Sequence, residues 1–325
     1  MAKVARHTMR QWIVTHEWMV NPMQQTEWIE GQGLLIWLAE VFSSLGTGLY
    51  LVSIFVSNPH AEPATIRTAW WGALAGWLIV IGLKLPLHIV YLGKPLRFWR
   101  AMPPFTNAWK TSWIARGSFF TAVFSAFGLF QLLTSYFSLG SGLDILMKVV
   151  AGFFCVLTAL YCGFMMSFCK SLPFWNTGLL PVVIMNAGIA DGLALLIGVR
   201  MITGYFSFTA LETVTRVLLL VNVLLIFSLI MNGSYRSATA GFSSKELIAG
   251  RASLPFWVGT ILMGIVVPMG ISLQTLWGGG EATHGLMIAA VVAHTLGAFG
   301  LKYCILKVGI YEPIVPKARV MGRAV

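Results

Sequence analysis

Polar positions are sparse along this chain, and between them lie eight apolar runs, at about residues 33–57, 69–92, 113–137, 144–167, 177–199, 213–232, 255–276 and 286–308. A helix climbs about 1.5 Å per residue, so roughly 20 such residues cross the hydrocarbon layer of a bilayer. The pattern predicts eight transmembrane helices and an all-α integral membrane protein. The longest polar interruptions are the N-terminal segment, residues 93–112 and residues 233–254. With eight crossings, all three fall on one side of the membrane. No stretch is long enough to link two soluble domains.

Composition agrees with this division. The 325 residues are 57% hydrophobic and 10% charged, so lipid, and not one water-excluding core, receives most of the apolar surface. Residues 1–32 lack the continuous apolar core of a cleavable signal peptide and carry Trp12, Trp18 and Trp28 among Glu17, Glu27 and Glu30. They read as an interfacial segment with its tryptophans at headgroup depth.

The formal net charge of +11 is distributed unevenly between the two sets of loops. One set holds fifteen Lys and Arg residues, among them Arg97, Arg100, Lys170 and Arg251; the other holds four, Arg67, Lys148, Arg200 and Arg216. That alternation is a topology signal and not a nucleic-acid footprint. It predicts an inner (cytoplasmic) membrane protein with both termini in the cytoplasm, and a basic cytoplasmic tail over residues 309–325. Of the four cysteines, Cys155, Cys162 and Cys169 recur every seven residues along one helical face. They read as small packing residues, so any iron–sulfur cluster belongs to another subunit.

A charged side chain at the centre of a span costs at least ~2.5 kcal/mol, which makes each one a functional hypothesis. Six qualify: Glu40, Lys84, His88, Asp191, His294 and Lys302. Lys302, within two turns of its helix end, is set aside as a residue that snorkels to the headgroups. Counting residues from the cytoplasmic end puts His88 and Tyr161 at roughly 6–9 Å, Glu40 at about 10 Å and Lys84 at about 12 Å, with Asp191 and His294 both near ~21 Å. Two levels result.

The inner level gathers an acid, two bases and a phenol, the groups that a quinone needs to bind its carbonyls and exchange protons. The other reading open at this point is a buried Glu40–Lys84 ion pair with His88 as a satisfied neighbour. Haem is not expected, because His88 and His294 lie about 15 Å apart in depth and cannot face one iron.

The stretches "LPLHIVYLGKPLRFWRAM" (85–102), "NAWKTSWIARGS" (107–118), "YCGFMMSFCKSLPFWNTGLLPVVIMNAG" (161–188) and "LKYCILKVGIY" (301–311) together resemble the polysulfide reductase/NrfD membrane-subunit family. The resemblance implies two four-helix bundles, here residues 33–167 and 168–308. It implies a quinone-interacting anchor (menaquinone or ubiquinone) without haem or iron–sulfur cluster of its own. A ferredoxin-like iron–sulfur subunit, commonly with a molybdopterin catalytic subunit, is the implied partner.

By the same resemblance Tyr161 donates to the quinone, and "PFWN" fixes the bend between the fourth and fifth spans. There Trp175 is expected at the interface and Asn176 as the cap of the incoming helix. Two departures stand out. Tyr91 occupies a position where the family often has Asp or His, leaving His88 a turn earlier. The first span offers only Glu40, with no asparagine a turn before it.

Quinone contacts are therefore assigned to Tyr161, Glu40 and His88. Lys84, Asn186, Asp191 and His294 are the polar steps along which protons could cross toward the far side. A proton-coupled secondary transporter and a structural anchor with a degenerate quinone site are the alternatives. Quinone binding separates them from the leading reading.

Overall fold

The computed structural model describes residues 21–57, 62–203, 209–278 and 283–314. Its longer helices are α1 (Gly33–Val56), α2 (Pro63–Tyr91), α3 (Trp113–Tyr136), α4 (Ser141–Ser167), α5 (Leu179–Thr203), α6 (Thr209–Arg236), α7 (Ala238–Ala249), α8 (Pro255–Gly278) and α9 (His284–Lys307), with short helical turns at Pro95–Ala101 and Asn107–Thr111. All the longer helices but α7 are long and apolar enough to cross a bilayer, which makes the chain a multi-pass membrane protein. Their bounds track the apolar runs closely and overshoot them where a start signal lies in polar sequence. Pro63 opens α2 from the first helical position, where its missing amide costs nothing. The side chains of Ser112 and Thr283 accept from the backbone amides of Ala115 and Leu286 to start α3 and α9.

Helices α1 and α5 hold the assembly together. α1 packs against α2, α4, α5 and α9, while α5 also meets α4, α6 and α9. The two cross at Gly48, Gly188 and Gly192, so closely that a Cβ on Gly48 or Gly192 would overlap the opposing backbone. Small residues serve this purpose in lipid, where apolar burial no longer drives helices together and close packing must. Gly264 of α8 and Gly297 of α9 make a second contact of the same kind.

The polar interruptions fold against one end of the bundle, called here the loop-rich end. Gln24 and Met23 pair antiparallel with Ile310 and Tyr311, and the Gln25 side chain donates to the carbonyl of Leu306. Residues 238–249, polar enough to be left outside the spans by hydropathy, form the surface helix α7, capped by Ser237. Trp12 and Trp18 lie outside the described residues.

The corner between α4 and α5 departs from expectation. Trp175 is wholly buried and does not sit at the interface: its Nε1 donates to the carbonyl of Ile305 at 2.8 Å, and Trp28 covers it at 5.1 Å between ring centroids. An indole has one polar atom, and a free carbonyl near the end of α9 satisfies it, so the ring can enter the core. Nor does Asn176 cap α5. Its Nδ2 donates to the carbonyl of Ser167 and its Oδ1 accepts from Arg236 Nη2 at 2.7 Å, tying the ends of α4 and α6 together. Thr177 Oγ1, one residue on, accepts from the Leu179 amide at the start of α5.

Candidate functional site

Near the loop-rich end, α1, α2, α3 and α4 enclose the first polar cluster. Lys84 sits at its centre, on a turn of α2 that departs from α-helical bonding. Pro86 has no amide to offer the carbonyl one turn earlier, and just ahead of it the helix widens, the Leu85 amide bonding back five residues to Val80. From that turn the Lys84 side chain runs inward and is 2% exposed. Its Nζ donates to Thr121 Oγ1 at 2.9 Å and lies 4.8 Å from the centroid of the Tyr161 ring, a cation–π contact. The direct Glu40–Lys84 ion pair weighed above does not form; Thr121 takes its place as the hydrogen-bond partner.

Tyr161, 1% exposed, meets His88 edge-on at 6.2 Å. Its ring lies flat on α3 because residue 117 is glycine; a Cβ there would overlap the ring. Glu40 comes in from α1 beside Cys162, under the influence of two cations, Lys84 and Lys302. The cluster is not internally satisfied. Glu40 Oε1 and His88 Nδ1 are both buried and have no hydrogen-bond partner, an arrangement that costs ~1–3 kcal/mol per atom unless something binds there. A quinone head fits this chemistry, with carbonyl oxygens to accept from His88 and Tyr161 and, once reduced, a hydroxyl to donate to Glu40.

The second cluster lies deeper and supplies more of its own partners, although the His294 Nε2 contact with Asp191 is an ion-pair distance without hydrogen-bond geometry. Asp191 of α5 faces His294 of α9, Oδ1 to Nε2 at 3.1 Å, and its Oδ2 accepts from Ser44 of α1 at 2.8 Å. His294 Nδ1 is 2.9 Å from the carbonyl of Gly264. A carbonyl can only accept, so Nδ1 carries a hydrogen. The carbonyl comes within reach because Gly264 and Gly297 let α8 and α9 approach closely at this level. A cavity of about 20 Å³ lined by Asp191, Asn222, Thr260 and His294 adjoins the pair, room for one water. Asn186 reaches it indirectly, its Nδ2 donating to Asn222 Oδ1 at 2.7 Å.

A family model described as "Polysulphide reductase, NrfD" matches residues 32–313. The chain belongs to the NrfD family. It is 26% identical over 267 residues to the C subunit of the polysulfide reductase of Wolinella succinogenes, covering 74% of this protein and 83% of that one. It is 30% identical over 180 residues to protein NrfD of Escherichia coli K12, about half of each protein (52% and 52%).

In this NrfD-family protein the structure thus brings Tyr161, His88, Lys84 and Glu40 into one cluster and Asp191 and His294 into another, with Asn186 at the second cluster's edge. It also corrects the reading of Lys302. That side chain does not snorkel: it is 4% exposed, and its Nζ has no hydrogen-bond partner. The charges that act on it are Asp191, then Glu40, so it stands between the clusters. Lys302 follows His294 by eight residues, which puts both on one helical face; a face that carries His294 into the bundle carries Lys302 there too. For Thr121 and Gly117 the sequence held no comparable signal, because their importance comes from what α2 and α4 press against them.

Proposed function

We propose that this protein is the quinone-reactive membrane subunit of a multi-subunit oxidoreductase, exchanging electrons between the membrane quinone pool and an iron–sulfur partner subunit. The observation that carries this reading is the pair of buried, unpartnered polar atoms, Glu40 Oε1 and His88 Nδ1, beside a phenol and an ammonium group. When bound, quinone supplies two-electron, two-proton redox chemistry. The protein's own residues orient and protonate it. Tyr161 donates its O–H to one carbonyl oxygen, and the Lys84 ammonium supplies positive charge where negative charge develops. His88 and Glu40 hold or release the protons that accompany the electrons.

The partner is a ferredoxin-like iron–sulfur protein, joined by a molybdopterin catalytic subunit, and it docks at the loop-rich end. Exposed apolar side chains there, Leu96, Trp99 and Phe105, alternate with Arg97 and Arg100, a mixture suited to a protein surface at the membrane border. By the charge bias this end faces the cytoplasm of a bacterial or archaeal cell.

Quinone-analogue binding to the purified complex tests the site. Wild type is expected to bind and Tyr161→Phe to bind about tenfold more weakly, the loss of one ~1.4 kcal/mol hydrogen bond; equal affinity would remove Tyr161 from the site. Orientation is checked by maleimide labelling of single cysteines in intact cells. Glu281→Cys is expected to react from outside and Pro95→Cys only after permeabilisation. The reverse pattern would put the partner outside.

A further inference from the structure

The quinone reading leaves a buried cation and a second cavity unused. Lys302 Nζ has no hydrogen-bond partner, although the side chain is 4% exposed. Two carboxylates act on it from opposite clusters, Asp191 and Glu40, and Cys162 is the third titratable group nearby. A buried ammonium normally binds a fixed partner tightly; one shared between two acids is placed to serve each in turn.

Beyond His294 the interior opens again. A cavity of about 60 Å³ runs from the His294 ring between α5, α6, α8 and α9, lined by Glu212, Thr215, Ser272 and Thr275 among apolar side chains. That volume takes several waters. Thr275 Oγ1 donates to Glu212 Oε2 at 3.2 Å, and Ser272 Oγ is buried without a partner. Glu212, in the first turn of α6 with Arg216 at 3.8 Å, stands at the end of the bundle opposite the first cluster. His294 lines both this cavity and the small one beside Asp191.

We propose that Lys302 joins the two clusters into one transmembrane proton route, leading from Glu40 through Lys302 to the Asp191–His294 pair and out along the larger cavity to Glu212. The inference rests on the quinone reading of the first cluster. Each step conserves its proton. The Lys302 ammonium passes a proton to the Asp191 carboxylate and becomes an amine; a proton from the Glu40 carboxyl then restores the ammonium and leaves a carboxylate. His294 takes the proton from Asp191 at Nε2 and, by turning its ring away from Asp191 and the Gly264 carbonyl, releases it to water in the larger cavity. The same route runs in reverse when quinol forms.

The test uses the whole complex in quinone-containing liposomes, with protons moved per electron as the readout. Quinone-analogue binding is measured in parallel. Lys302→Met is expected to bind the analogue within twofold of wild type while vectorial proton movement falls at least tenfold. Glu212→Gln, remote from the first cluster, is expected to cut proton movement several-fold, and it decides the matter if Lys302→Met fails to assemble. Wild-type proton movement in either assembled variant overturns the route, as does a wild type that binds quinone and moves no protons. Loss of analogue binding in Lys302→Met would assign the lysine to the quinone site and overturn it too. A wild type that binds no analogue removes the quinone reading itself, and the route with it.

Discussion

The two polar clusters of this protein hold similar residues in different states. At the loop-rich end an acid and an imidazole each keep a buried atom with no partner, beside a phenol and an ammonium. A few turns deeper, another acid and imidazole stand 3.1 Å apart as an ion pair, with Ser44 bonded to the acid and a backbone carbonyl to the imidazole. Burying polar atoms unpaired is costly and pairing them removes most of the cost. In the proposed function the open cluster is the one that offers unsatisfied groups to a ligand, whereas the deeper one supplies most of its own partners.

The largest expected effect tests the deeper cluster. His294→Leu leaves the Asp191 carboxylate buried with Ser44 but without its facing imidazole, a change that costs ~3–5 kcal/mol. We expect a steep fall in the yield of monodisperse protein and in its thermal midpoint in detergent. Its counterpart in the open cluster, His88→Leu, is expected to change stability by less than about 1 kcal/mol, since it removes an atom that had no partner, yet to abolish quinone-analogue binding. Equal destabilisation by the two would erase the distinction.

Smaller changes sharpen the open cluster. Gly117→Ala puts a methyl group against the Tyr161 ring; overpacking of that kind costs ~1–3 kcal/mol. The ring is expected to shift and analogue affinity to fall roughly tenfold or more, measured by titration of the purified complex. Thr121→Val removes the acceptor of the Lys84 ammonium and should weaken binding by about 1 kcal/mol, a few-fold in affinity. No change in either variant would show that α3 does not position the site.

How much of this was legible in the sequence follows from what a sequence resolves. Length and hydropathy gave the eight crossings, and counting residues along each gave depth, which is why Asp191 and His294, assigned to one level, face each other at 3.1 Å. Depth says nothing about direction around the helix. Lys302 lies near a membrane border in depth, but its side chain is buried among the charges of α1 and α5, where no headgroup can be reached. Trp175 has the composition of an interface anchor, and only the free carbonyl of Ile305 made a core position possible. The Asn186–Asn222 bond and the cavity beside it depend on how α5 and α6 are rotated against each other, which neither run displays alone.

The Gly264–Gly297 contact is the feature whose consequence reaches furthest. With no side chain between α8 and α9 at this point, the Gly264 carbonyl comes within 2.9 Å of the His294 ring, so the resting posture of one helix's side chain is fixed by what its neighbour lacks. The pair of glycines works as a latch, and its strength is about that of a single hydrogen bond, ~1 kcal/mol. Such a hold keeps the imidazole aimed at Asp191 most of the time and still lets it swing within reach of thermal motion. Gly297→Ala would push the two helices apart and slacken the latch, giving His294 more freedom at the expense of its preference for Asp191.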